Sequence, residues 1–404
     1  MMERRVRRAF WSVLLLACIV ALAVGALRWD ASFRDPTTIF WWFGVPLSGT
    51  LLAAAFLALP TSARLALAVT VLTVGILEAG AWALNAWAEP TVETWIDPEY
   101  YQAHSELGWA PKPGIKTRAW KRVAGEPVYD VQYSIDALGR RVTPGAAAGP
   151  RSTFLLFFGD SVTFGEGVQN AETFPHFVAE RAPRVRAYNY GFHGYGPQQL
   201  LARLETQDLR TQVAEPDGSL VYLFIDAHVN RAIGSMVVYT GWADTAPYYG
   251  PGPDGALVRD GTLTTGRPMT SILYSILGRS QVLKRWHLDV PLAISERHID
   301  LTARILAESA RRFRQQFGGG RLVVVISSSA GDICPRPAGK QPGSTHAARL
   351  GRALNRHGVE FLDYSALFDA ADPAYAIPND CHPTPRAHRR LAEQLVMDLG
   401  LGGS

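Results

Sequence analysis

Hydropathy divides the chain into two unequal parts. Phe10 to Leu27 is almost wholly apolar, Ile39 to Leu59 is a second apolar run, and Leu65 to Trp87 is a third. Each is close to the roughly 20 residues a helix needs to cross a bilayer. The links between them, "RWDASFRDPTT" and "PTSAR", are short. Trp29, Trp41, Trp42, Trp82 and Trp87 lie near the ends of the runs, where interfacial aromatics are favoured. The pattern predicts a membrane anchor over 1–88, with helices at about 10–27, 39–59 and 65–87.

The arginines of "MMERRVRR" precede the first run, and the positive-inside bias keeps such a cluster in the cytoplasm. Three crossings then place everything after Trp87 outside. The flank "AEPTVETWIDPEY" carries acids but no Lys or Arg, in agreement. A signal peptide cleaved near Ala26 would leave a two-helix hairpin and the same destination. A lipoprotein reading of "LLAC", Leu15 to Cys18, is disfavoured because the apolar run outlasts Cys18. Glu78 lies inside the third run. No second ionisable residue there offers a relay partner, which favours a carboxyl hydrogen-bonded to a neighbouring element over an ion pathway.

After the anchor the pattern changes. Residues 89–150 are rich in Pro, Gly and Trp and read as loops and short strands, a lead-in layer on a main domain. From 151 to 404 short apolar runs alternate with helical stretches. The runs are Thr153–Phe158, Val185–Tyr190, Leu220–Ile225, Leu322–Ser327 and Val359–Asp363. They are too short for free helices and rich in β-branched and aromatic residues, so they predict buried strands. Alternation of this kind predicts a three-layer α/β/α sandwich on a mostly parallel five-stranded sheet. The final helix shows its own signals: Thr384 as N-cap, Pro385 at its first position, Gly400 past its end. Residues 231–288 interrupt the alternation. Such a long insertion reads either as a lid or wall near the strand ends, or as a decoration.

Composition narrows the classes. The 404 residues carry a net charge of +4 and no Lys/Arg stripe interleaved with aromatics, so nucleic-acid binding is not indicated. Cys18, Cys334 and Cys381 form no CxxC pair, which excludes a zinc cluster and a disulfide framework. Cys334 and Cys381 both follow strand ends, so a single disulfide between them is an expectation for an oxidising compartment.

The chemistry-bearing residues fall where strands end, which is where ligands bind in open parallel sheets. The first strand runs into Gly159-Asp160-Ser161. The second ends in "NYGFHGYG", the third in "DAHVNR", and "PNDCHP" precedes the last helix. Together they offer a hydroxyl, glycine N–H groups and an Asp–His pair. Serine is a weak nucleophile until a base takes its proton. A histidine serves as that base once a carboxylate fixes its tautomer.

In this arrangement the chain resembles the SGNH/GDSL hydrolase superfamily, which has a flavodoxin-like sheet. "GDSVTFGEGV" is close to the form in membrane-linked members, some of which act on acetylated polysaccharides. The resemblance covers about residues 150–400. It implies Ser161 as nucleophile, His382 as base and Asp380 as its partner. It implies the N–H groups of Ser161 and Gly194 as oxyanion donors. The third block departs: "FIDAHVNR" stands where Gly-x-Asn-Asp is usual, with His228 nearest that position and Asn230 two further on. The last block is Asp-x-His rather than Asp-x-x-His. His388 reads as a helix residue, His193 as a loop or packing histidine, and Asp160 as structural. The expectation is a membrane-anchored, periplasmic ester hydrolase acting through an acyl-Ser161 intermediate on a glycan or lipid-linked acyl or acetyl ester, with no metal or organic cofactor. The alternatives are an O-acyltransferase and an inactive binding or assembly protein of an envelope polysaccharide system.

Overall fold

The computed structural model describes residues 2–29, 35–88, 90–145, 151–327, 346–368, 372–380 and 382–402. Cys334 and Cys381 lie outside the described residues, and the expected disulfide with them. The chain separates into two compact units.

The larger unit holds residues 90–233, 246–259 and 294–404. Its first part forms β1 (Val92–Ile96), β2 (Tyr101–His104), β3 (Gly108–Pro111), β4 (Lys116–Val123) and β5 (Glu126–Ser134). β1, β4 and β5 make an antiparallel sheet with β4 in the middle, and β2 pairs with β3. Then come β6 (Thr153–Phe158), β7 (Val185–Asn189), β8 (Asp217–Phe224), β9 (Pro247–Pro251), β10 (Leu257–Thr262), β11 (Leu322–Ser327) and β12 (Glu360–Tyr364). The main sheet has the order β12-β11-β8-β6-β7, and every pair in it is parallel.

All five predicted strands are present, with boundaries shifted by a few residues. β11 is buried along its whole length, as a central strand covered on both faces must be. Alternation divides β6 between the two layers. Phe154, Leu156 and Phe158 face a core shared with helices Pro197–Thr206, Glu296–Phe317 and Ala347–Arg356. Leu155 and Phe157 face a second core under helices Phe174–Arg181 and Pro385–Asp398. The last helix begins as its sequence predicts: the Thr384 side chain accepts from the Ala387 N–H, and Pro385 follows.

The chain leaves β6 for β7 on one side of the sheet and returns to β8 on the other. This is a topological switch point, where strand-end loops diverge and open a crevice. The lead-in strands close over that end. Tyr100, Ala119, Val131 and Tyr133 pack with Phe164, Phe192 and Tyr195 in one apolar cluster.

The smaller unit holds residues 1–89, 234–245 and 260–293. Among the described residues, three helices are long and apolar enough to cross a membrane: Arg5–Leu27, Pro36–Ala58 and Thr61–Trp87. The first two lie close together. Trp11 stacks on Phe56 with ring centroids 4.4 Å apart. A Cβ on Gly49 would come within 2.7 Å of Cys18 Sγ, so glycine favours this close approach. The insertion after β8 divides between the units, and the segment 260–293, which takes in its C-terminal part, packs on these helices. Glu78 accepts from Ser280 Oγ at 2.6 Å and from the Gln281 N–H. Its hydrogen-bonding partner is therefore the insertion, not another span.

Candidate active site

The turn after β6 sets a serine at the strand end by local necessity. Gly159 has φ 151°, and a Cβ there would lie 2.2 Å from Thr163 Oγ1. Asp160 caps the short helix Ser161–Phe164 by accepting from the Val162 N–H at 3.0 Å. Gly165, with φ 87°, ends that helix in the left-handed region that glycine adopts without strain. Ser161 is thus the first residue of a helical turn, and its N–H has no acceptor within that turn.

Ser161 Oγ lies 2.9 Å from His382 Nε2, in hydrogen-bond contact. On the other side of the ring, His382 Nδ1–H donates to Asp380 Oδ1. The two-residue spacing works because the segment is a tight turn. Asn379 has φ 60°, Ile377 N–H donates to the His382 carbonyl at 2.8 Å, and Asp380 Oδ1 also accepts from the His382 N–H at 3.2 Å. The structure thus brings Ser161, His382 and Asp380 into one line. The remaining oxygen, Asp380 Oδ2, accepts from Lys121 Nζ of β4 at 2.7 Å.

The electrostatics follow from these neighbours. Burial raises the Asp380 pKa, but the bond and charge of His382, then Lys121, outweigh it and bring it to about 2. Burial lowers that of His382. The Glu166 charge and then Asp380 outweigh this and push it up to about 9. Asp160 is raised by burial and lowered more strongly by Arg231 and His228, so it stays well below the usual carboxylate range.

Glu166 is a residue the sequence reading did not single out. Its Oε2 lies 3.4 Å from His382 Nε2. The same oxygen accepts from His193 Nδ1–H at 2.6 Å, while the Tyr100 hydroxyl meets His193 Nε2 at 3.0 Å. His193 is therefore more than packing: it belongs to a polar chain ending at the His382 ring. Burial raises the Glu166 pKa, and the His193 and His382 charges bring it to about 2. Arg141 braces the loop that carries Glu166. It donates to the carbonyls of Phe164 at 2.9 Å and Val168 at 2.6 Å, and also to that of Gly165. Glu166, Asp380 and His382 offer ligand atoms within 4.8 Å of one another, enough for a cation. Both His382 nitrogens are already engaged in the serine–carboxylate line.

Asp160 is structural, in a particular way. Its Oδ2 accepts from Arg231 Nη1 at 2.6 Å, and His228 Nε2 lies 3.4 Å away. His228 is buried with Nδ1 against the Tyr222 hydroxyl at 2.9 Å. Asn230 lies half-buried on the same short helix, Ala227–Ile233. Among the described residues neither is hydrogen-bonded to Ser161. Gly194 has φ 73° in the turn after β7. His388 is buried in the last helix, and burial, Arg141 and His382 lower its pKa to about 3. It is a neutral core histidine at physiological pH.

No family model and no curated protein matches this chain. Among solved structures, it is similar to a member of the lipolytic protein G-D-S-L family from Veillonella parvula. That match has 12% identity and a TM-score of 0.34, over 61% of this chain and 98% of that one. It is similar to LAE5, an alpha/beta hydrolase enzyme from the metagenome of Lake Arreo, at 15% identity and TM-score 0.36, over 63% and 99%. It is also similar to an acetyl xylan esterase from Butyrivibrio proteoclasticus, at 10% identity and TM-score 0.37, over 63% and 66%. The functional reading rests on the geometry of Ser161, His382 and Asp380.

Proposed function

We propose that this protein is a membrane-anchored serine ester hydrolase of the SGNH/GDSL type. The observation that carries the reading is the 2.9 Å bond from Ser161 Oγ to His382 Nε2, with Asp380 on the opposite ring nitrogen. Ser161 Oγ attacks the acyl carbon while its proton passes to His382 Nε2. The imidazolium is held between Asp380 and Glu166. The tetrahedral oxyanion takes its hydrogen bonds from the N–H groups of Ser161 and Gly194. Collapse expels the alcohol, which takes its proton from His382. Water, deprotonated by the same nitrogen, then releases the acid and frees Ser161.

The three apolar helices support the anchor, and the positive-inside bias of the arginines before the first favours an extracytoplasmic catalytic unit. A tethered hydrolase meets substrates that share its surface, and the resemblance to membrane-linked members that act on acetylated polysaccharides points to an acyl or acetyl ester of a glycan or lipid-linked alcohol.

The test is fluorophosphonate labelling of the detergent-solubilised full chain, with p-nitrophenyl acetate turnover in parallel. Labelling and turnover should vanish in Ser161→Ala and His382→Ala. A folded wild-type chain that takes no label would overturn the reading in favour of a binding protein.

A further inference from the structure

The segment 260–293, which takes in the C-terminal part of the insertion and belongs to the smaller unit, is joined to polar positions within the third apolar helix. Glu78 and Asn85 are seven residues apart, so they share one face of helix Thr61–Ala88. That face receives the insertion: Glu78 accepts from Ser280 Oγ and the Gln281 N–H, and Asn85 Nδ2 donates to the Gln281 carbonyl at 3.2 Å. Counted from Arg64 at about 1.5 Å per residue, Glu78 stands roughly 21 Å along the helix and Asn85 roughly 32 Å. A hydrocarbon core is about 30 Å thick. Glu78 therefore falls within the core and Asn85 at its edge. The Gln281 backbone lies against both.

Helix Pro268–Leu277 is attached in the same way. Ile272 packs with Ile39 and Phe43, and a Cβ on Gly44 would sit 3.0 Å from Ile276 Cγ1. The Arg279 guanidinium stacks 4.3 Å over the Phe40 ring. Beside these contacts the segment carries uncovered apolar side chains. Met269 and Leu273, one turn apart, are 77% and 49% exposed, Trp286 is 60% and Leu292 79%. Lys284 and Arg285 stand exposed beside Trp286. Apolar side chains bordered by Trp, Lys and Arg are what a headgroup boundary selects, with the cations reaching toward phosphate.

We propose that residues 260–293 form a re-entrant membrane element whose uncovered apolar side chains rest in the outer leaflet. Its occupant is the lipid surface itself, because the segment packs on helices whose own apolar side chains are exposed. The insertion is then a fourth point of attachment to the bilayer, made by a stretch that the chain enters after β8. The inference rests on reading the three helices as membrane spans.

The experiment reconstitutes the full chain in phosphatidylcholine vesicles. Single cysteines, Leu273→Cys and Trp286→Cys, go into a background with Cys18, Cys334 and Cys381→Ser. Each is labelled with an environment-sensitive nitrobenzoxadiazole. Leu72→Cys, in the third helix and 64% exposed, reports span insertion, and Glu360→Cys reports the water phase. Leu273 and Trp286 probes should emit blue-shifted and lose most of their intensity to lipid-borne nitroxides, as Leu72 does and Glu360 does not. Water-like, unquenched emission at 273 and 286 beside a quenched Leu72 probe would overturn the inference alone. An unquenched Leu72 probe would overturn the anchor reading. Shielding at 273 and 286 that persists in detergent with cross-links between copies would assign the patch to a second copy and also overturn the proposal. If the cysteine-free chain does not fold, the wild-type chain in brominated-lipid vesicles is compared with Trp286→Phe. The variant should show a smaller quenched fraction of tryptophan emission, and an equal fraction would overturn the inference.

Discussion

Lys121 Nζ donates to Asp380 Oδ2 at 2.7 Å, from a strand of the antiparallel lead-in sheet to the carboxylate that orients His382. The two residues are 259 positions apart. The Asp380 side chain is only 1% exposed and that of Lys121 20%, so solvent screens the pair weakly. The lead-in sheet therefore contributes directly to the electrostatics of the site.

Lys121→Met should lower kcat/KM on p-nitrophenyl acetate by about tenfold, the scale of one charge-assisted hydrogen bond. Removing the cation also favours the protonated His382 ring, so the acid limb of the pH profile should move to higher pH. Lys121→Arg should recover part of both. An unchanged pH profile would sink the electrostatic role and leave Lys121 a packing residue.

His382 has its pKa raised to about 9, and only the neutral ring can accept the serine proton. The expected kcat/KM therefore climbs with pH and levels off above about 9. Glu166 is the largest contributor that raises it, so Glu166→Gln should bring the midpoint down. A midpoint that stays put in Glu166→Gln would show that the 3.4 Å approach has no electrostatic consequence.

Stability should follow the same group with the opposite sense. The folded pKa lies above the ordinary histidine value of about 6.5, so the contribution is complete below 6.5 and is lost as pH rises through about 9. Melting temperatures should fall between pH 7 and pH 10 in the wild type, and less steeply in His382→Gln. Parallel curves for the two proteins would contradict the raised pKa.

The Asp160–Arg231 pair is buried at the base of the serine turn. Arg231→Met leaves an unpaired buried carboxylate and should destabilise the protein by about 3–5 kcal/mol. Adding Asp160→Asn should restore much of that loss, because the orphaned charge is removed. Denaturant unfolding of both variants checks this, and additive losses would argue against direct coupling.

Short-range pattern determined much of this protein. The apolar lengths of the three helices, the period of the five sheet strands and the caps of the last helix depend on neighbours within a few residues. The Asp380–His382 contact was legible for the same reason, since two residues of one turn make it. The Gly159-Asp160-Ser161 turn was legible as a strand end, because its glycine and cap act locally.

What the tertiary structure decided are the contacts whose partners are distant in sequence and carry no periodic signal. Arg231 under Asp160, Lys121 on Asp380, and Glu166 with His193 beside His382 all depend on which loops the sheet order brings to the switch point. Single charged residues in a loop or exposed strand look alike in sequence whether they face water or a carboxylate. The insertion shows the same limit at larger scale. Its length marked it as unusual, but only packing joined Ser280 and Gln281 to Glu78, because an apolar helix in isolation does not show which of its faces meets protein and which meets lipid.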